Sequence, residues 1–276
     1  MEWKESEIKI LKENYNNGAK FVSIILENRS IMSIKQKANR LNLFVSKETR
    51  SNMCSQNAQQ RRGQKKDYRV NDLTLDINKY TSYILGLIWT DGFVLKNRNT
   101  VGITLVKEDM INIEWIFDKT GNWYVADRKR KGRRESRSLT AYNPNFMDSL
   151  ISLDFDKKST LSPYKIYEII PEKYSKYFFR GIIDGDGCFY LNKKNYTYQF
   201  TISSTYDQDW SFYIGFFKKM SIDFTIVRRI QKDKNKSSII RICNRDGIKK
   251  LINWLYDGYE NDRVGLKRKF FKSKLF

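Results

Sequence analysis

The chain has 276 residues, room for one large domain and a small one. Its 52 Lys and Arg against 31 Asp and Glu give a formal charge of +21, which favours a polyanionic partner, nucleic acid first and anionic membrane second. It contains no His, which excludes Ser-His-Asp hydrolases, His-containing zinc sites and nucleases with a His general base.

Residues 1–44 read as a small helical domain. Ile8, Leu11 and Tyr15 mark one helix face, Phe21, Ile24 and Ile25 a second, and Ile31, Ile34, Ala38 and Leu41 a third. Gly18 separates the first two, and Ser30 is placed to cap the third. Three short helices in this space suit a helix-turn-helix module. On the third helix Lys35, Gln36, Lys37, Asn39 and Arg40 lie away from the apolar stripe, where they could meet phosphates and base edges. The alternative is a solvated face on a protein-interaction bundle. Residues 45–74 read as a basic polar linker, carrying Arg61, Arg62, Lys65, Lys66 and Arg69. Such a segment could follow a DNA backbone between two docked modules; a plain flexible tether is the other reading.

Residues 75–160 and 161–276 read as two similar halves of α+β type, each in the order helix-β-β-α-β-β-α. In the first, an apolar helix leads to a strand at 100–106, a helix at 108–119, strands at 123–127 and 136–141, and a helix at 145–153. The basic turn around the last two strands holds Arg128, Lys129, Arg130, Lys131, Arg133, Arg134 and Arg137 against Glu135 alone. In the second, strands at 188–192 and 198–204 precede a helix at 208–220, strands at 225–230 and 238–242, and a helix at 247–256. Polar residues on or beside those strands are candidates to face DNA: Lys193, Lys194, Tyr198, Gln199, Thr201, Ser203, Arg228, Arg229, Gln231 and Arg241. The sequence leaves their faces open, because a register slip of one residue inverts them. Arg245 follows the last strand and is placed to approach a scissile phosphate. The tail from Arg263 to Lys274, with Lys267, Arg268, Lys269 and Lys272, reads as a clamp on the DNA flank or as a solvated tail.

The two halves share one stretch in register. Tyr83-Ile-Leu-Gly-Leu-Ile-Trp-Thr-Asp-Gly92 and Phe178-Phe-Arg-Gly-Ile-Ile-Asp-Gly-Asp-Gly187 pair Gly86 with Gly181, Asp91 with Asp186 and Gly92 with Gly187, always 95 residues apart. The apolar and small residues before each Asp-Gly suit a short buried helix. Glycine inside a helix costs about 1 kcal/mol against alanine, so Gly86 and Gly181 need a reason, and close approach of two helix backbones is one. The last glycine fits a left-handed C-cap. Each Asp then stands at the negative end of a helix dipole, near a second carboxylate. Divalent cations would offset both costs, and carboxylates beside bound metal suit phosphodiester hydrolysis. A lone Asp-Gly is more simply a hairpin turn; the duplicated lead-in is what argues against that.

Ile84 to Gly92 and Phe179 to Gly187 resemble the two LAGLIDADG motifs of single-chain homing endonucleases. The resemblance covers residues 75–276. It implies an α+β fold of two pseudo-symmetric halves packed through their motif helices, with two antiparallel sheets forming a saddle over the DNA major groove. It implies that Asp91 and Asp186 are catalytic and bind Mg²⁺ or another divalent cation. It also implies cleavage across the minor groove with short 3′ overhangs, at a long and tolerant site. The motif's earlier Asp is present as Asp184, but Trp89 stands at that position in the first copy; this position is not the family's metal ligand. Residues 1–44 resemble a Myb-like helix-turn-helix, with Trp3 near the start and Arg29 to Leu41 as the DNA-reading helix.

Double-stranded DNA is therefore the expected partner of a monomeric enzyme, since the second half supplies what a dimer partner would. An RNA-binding maturase acting on a host intron, and a non-catalytic DNA-binding regulator on the same scaffold, are the rival readings. Cys54, Cys188 and Cys243 are scattered and odd in number, which suits a reducing compartment. With no apolar run of membrane length and no signal peptide, the expected setting is the cytoplasm of a bacterium or phage host, or an organelle.

Overall fold

The computed structural model describes residues 2–51, 72–129, 132–192, 194–195, 197–230 and 236–276. The chain falls into two compact units, Met1–Tyr68 and Arg69–Phe276. In the first, α1 (Glu5–Asn14), α2 (Ala19–Ile25) and α3 (Ile31–Arg40) enclose a small core of Leu11, Ala19, Val22, Leu26, Ile34 and Ala38. Ser30 caps α3, its hydroxyl accepting from the Ser33 amide at 3.2 Å. The apolar face expected on α2 is corrected. Val22 and Ala19 point inward, while Phe21, Ile24 and Ile25 are 44%, 68% and 44% exposed. Three neighbouring apolar residues on so short a helix fit two helical faces, and the smaller side chains take the one against α1 and α3.

The second unit carries two repeats. The first runs α4 (Lys79–Thr90), β1 (Gly92–Leu95), β2 (Thr100–Val106), α5 (Lys107–Phe117), β3 (Tyr124–Arg128), β4 (Ser136–Tyr142) and α6 (Pro144–Ser152). A short α7 (Tyr164–Glu168) leads to the second: α8 (Glu172–Asp186), β5 (Gly187–Asn192), β6 (Thr197–Thr205), α9 (Ser211–Lys219), β7 (Thr225–Ile230), β8 (Lys236–Ile242) and α10 (Arg245–Tyr256). Each repeat builds a four-stranded antiparallel sheet, ordered β1-β2-β4-β3 and β5-β6-β8-β7. Apolar residues from both sheets and all the larger helices form one continuous core.

The tail is folded. It forms α11 (Tyr259–Asp262) and α12 (Lys267–Ser273), and it buries Val264, Leu266, Lys269 and Phe270. The reading of a solvated tail is thereby overturned. Arg180 explains the fold of this segment. Its guanidinium is fully buried and donates to the carbonyls of Leu255 (2.5 Å), Asp257 (2.9 Å) and Val264 (3.1 Å) and to the Asp262 carboxylate (2.9 Å). A buried cation demands such a full set of acceptors.

Candidate active site at the ends of the two motif helices

α4 and α8 pack backbone to backbone. A Cβ on Gly86 would lie 2.1 Å from the Phe178 carbonyl oxygen, and one on Gly181 would lie 2.1 Å from that of Tyr83. Gly185 continues the seam: a Cβ there would lie 2.0 Å from Thr90 Oγ1 and 3.2 Å from Asp91 Oδ2. The crossing therefore carries the two helix ends, with Asp91 and Asp186, to one place. Gly92 and Gly187 are not left-handed caps. Neither has positive φ, and Gly187 is extended at φ −79°, ψ 146°. They start β1 and β5, and a Cβ at either would strike the preceding helix turn, 2.6 Å from Ile88 Cα or from the Ile183 carbonyl. Crowding, not a positive dihedral, requires glycine there.

The surroundings disfavour charge on both acids. Burial raises Asp186 to about 6, with repulsion from Asp91 adding and Lys158 and Lys269 opposing. Asp91 is also raised by desolvation, although its side chain reaches solvent, again against Lys158 and Lys269. A cleft of about 240 Å³ opens beside Asp186, lined by Trp89, Thr90, Lys158, Gln208 and Tyr213 among others.

Two lysines complete the site: Lys158, which sequence reasoning missed, and Lys269, which it placed in the tail alone. Lys158 Nζ donates to the carbonyls of Ile88 (2.9 Å), Thr90 (2.8 Å) and Gly92 (2.6 Å) at the end of α4. Lys269 Nζ donates to those of Ile183 (3.2 Å) and Gly187 at the end of α8. Each ammonium satisfies carbonyls left over at a helix C-terminus and offsets its negative pole. Burial lowers both, Lys158 to about 8 against the pull of Asp186 and Asp91. No signal in the sequence sets Lys269 apart from its neighbours Lys267 and Arg268. Arg268 instead reaches the first half, pairing with Asp109 at 2.7 Å.

Register sorts the other candidates. In the second sheet Thr201 pairs with Arg241, Gln199 with Tyr190, and Arg229 with Ser237, so Gln199, Thr201, Ser203, Arg229 and Arg241 share the face opposite the core. Arg128 lies on the corresponding face of the first sheet and is exposed. Arg228 is on the other parity, opposite buried Ser238, and donates to the Tyr206 carbonyl at 3.1 Å. Tyr198 likewise packs toward the core. Arg245 donates to the Phe276 carbonyl at 3.3 Å and stacks over Tyr198 at 4.9 Å, so it is engaged with the C-terminal segment. Lys194 and Lys267 are exposed. In the small unit Lys35, Asn39 and Arg40 are exposed on α3, and Lys37 is half-buried near the Trp3 ring. Arg61, Arg62, Arg130, Lys193 and Gln231 lie outside the described residues.

Among solved structures, the homing endonuclease I-WcaI bound to its DNA recognition sequence is similar over 71% of this chain and 87% of its own, at 16% identity and a TM-score of 0.50. Mesophilic variants of the homing endonuclease I-DmoI (13% identity, 72% and 98% covered, TM-score 0.44) and I-GzeII in complex with its DNA target (15%, 72% and 88%, 0.43) are also similar. No protein-family model matches the chain, and no curated protein matches it. The second unit thus has the two-half LAGLIDADG fold. Its two glycine-joined helices and paired acids occur within that fold.

Proposed function

We propose that this chain is a site-specific homing endonuclease that breaks both strands of DNA by divalent-metal-dependent phosphodiester hydrolysis. The observation that carries the reading is the meeting of Asp91 and Asp186 at the joined ends of two motif helices, one from each half, with desolvation disfavouring the charge of both. Among the described residues no group of three or more His, Cys, Asp or Glu gathers. The donor set fits a hard cation such as Mg²⁺ nonetheless. Such ions are commonly held by one or two carboxylates plus water and substrate phosphate, without a protein cage.

Asp91 and Asp186 would hold the metal. When bound, it would supply an activated water and charge for the leaving oxygen. The protein's own residues do the rest. The glycine seam fixes the two acids relative to each other. Lys158 and Lys269 tie off the helix-end carbonyls and bring positive charge to the site where a polyanion must sit. Tyr213 and Trp89 wall the cleft beside Asp186. Gln199, Thr201, Arg229 and Arg241 in one sheet and Arg128 in the other are the proposed DNA contacts, reading base edges or holding phosphate. The small unit is proposed to add a second DNA-binding surface through α3, and one chain suffices for two strands. I-WcaI, which shares the fold, is bound to its DNA recognition sequence, and the formal charge of +21 suits the same partner.

The test is incubation of the full chain with a DNA library, with Mg²⁺ or EDTA, beside Asp186→Asn. Metal-dependent double-strand cleavage at one site, lost in the variant, is expected. Tight specific binding with no cleavage in either metal state would overturn the reading.

A further inference from the structure

The two motif copies differ in chemistry at Trp89 and Asp184, the residues two before each acid. In the second half Asp184 is buried, and its Oδ2 accepts from the Leu266 amide at 2.6 Å and the Tyr83 hydroxyl at 2.9 Å. Gly265, at φ +132°, makes the turn that aims this amide; a Cβ there would lie 3.2 Å from Asp184 Oδ2. Lys269 stands three residues beyond Leu266. In the first half Trp89 is buried and meets Phe155 edge-on, ring centroids 5.4 Å apart and planes at 77°. Lys158 stands three residues beyond Phe155. An aromatic contact and a carboxylate–amide bond thus hold corresponding places, each at the same chain distance from the lysine that caps that half's motif helix.

We propose that Trp89 and Asp184 are equivalent positioning residues: each anchors the chain three residues ahead of a lysine and so seats Lys158 on the end of α4 and Lys269 on the end of α8. Among the described residues neither lysine forms an ion pair, and both are held by carbonyls. A lysine side chain has much rotamer freedom to lose on being fixed. The backbone position from which it starts therefore decides whether its reach closes. Arg180 acts on the chain before this point, at 255–264, so the anchor at Leu266 is a separate device.

The test reads each lysine directly. The full chain is treated with a limiting amine-acylating reagent, and label at each lysine is measured by peptide mass spectrometry. Asp184→Leu should raise labelling of Lys269 several-fold and leave Lys158 protected; Trp89→Leu should do the reverse. Asp184→Asn keeps an oxygen for the Leu266 amide, and Trp89→Phe keeps an aromatic edge, so both should restore protection. Should either disruptive variant fail to fold, Leu266→Pro removes the donor at a φ of −72° that proline accepts, and Phe155→Leu removes the facing ring. Folded variants in which both lysines change together, or neither changes, overturn the proposal. A second readout rests on the nuclease reading. With each strand end-labelled, Asp184→Leu should slow cutting of one strand and Trp89→Leu that of the other, and equal slowing overturns the proposal. Failure of the unchanged protein to cut would count against the nuclease reading alone, since labelling needs no activity.

Discussion

Gly86 and Phe178 meet backbone to backbone, so closely that a methyl group on the glycine would stand 2.1 Å from the phenylalanine's carbonyl oxygen. The obstacle is main chain, which cannot rotate aside. Gly86→Ala and Gly181→Ala should each destabilise the protein by about 1–3 kcal/mol or more, as overpacking does, despite alanine's better helix propensity. Urea unfolding followed by circular dichroism measures this; a stabilising alanine at either site would contradict the packing described.

Stability should depend on pH through the buried acids. Asp184 and Asp186 are both raised to about 6 from 3.8. A carboxyl raised on folding contributes stability below its unfolded value that is lost as pH rises through its folded value. Metal-free protein should therefore lose stability between about pH 4 and 6. Glu7, held near 2 by Arg29 and the Lys4 amide, acts oppositely and at lower pH. Asp186→Asn should flatten the loss in part, and Mg²⁺ at pH 7 should stabilise the unchanged protein more than the variant. Thermal melts in EDTA and in Mg²⁺ across this range are the measurement.

Arg180 joins the tail to the second motif helix with four acceptors. Arg180→Met takes the donor from the Leu255 and Val264 carbonyls and the positive charge from beside Asp262, which keeps the Tyr177 hydroxyl and the Val264 amide, and should cost about 3–5 kcal/mol. Arg180→Lys should recover little, because one ammonium cannot span acceptors spread from 255 to 264. Equilibrium unfolding of the two variants tests both statements, and full rescue by lysine would show that charge alone matters.

The sheet register separates two adjacent arginines. Arg229→Ala and Arg241→Ala, on the face away from the core, should weaken DNA binding. Where the arginine neutralises a phosphate, its removal should lower the salt slope by about 1. Arg228→Ala, on the opposite parity and bonded to Tyr206, should leave the slope unchanged. Binding isotherms from about 50 to 200 mM salt distinguish the three.

Much of this is legible in the sequence because period and repetition leave marks there. The strand at 100–106 and that at 225–230 fall where alternation puts them, and the Gly86–Gly181 pairing announces two helices in close contact. Four-residue β1 is too short to show a period. The face of α2 misleads because Phe21, Ile24 and Ile25 are hydrophobic but sit outward. Lys269 is hidden for a deeper reason. A run of basic residues reads as solvated by composition, and only tertiary structure reveals that one of them turns inward to helix-end carbonyls. Gly92 and Gly187 are the right residue for a different cause: either dihedral freedom or lack of room can demand glycine, sequence does not tell the two apart, and here it is lack of room.

The seam at Gly86 and Gly181 has one more consequence. Side-chain interfaces can be repacked by substitution, sliding a little with each change. Here the spacer between the two acids is main chain pressed on main chain, so their separation behaves as a built-in ruler. The open faces of the two sheets lie elsewhere on the fold and can change residue by residue without touching it. Under the nuclease reading, variants that come to recognise new sequences should still cut with the same offset between strands.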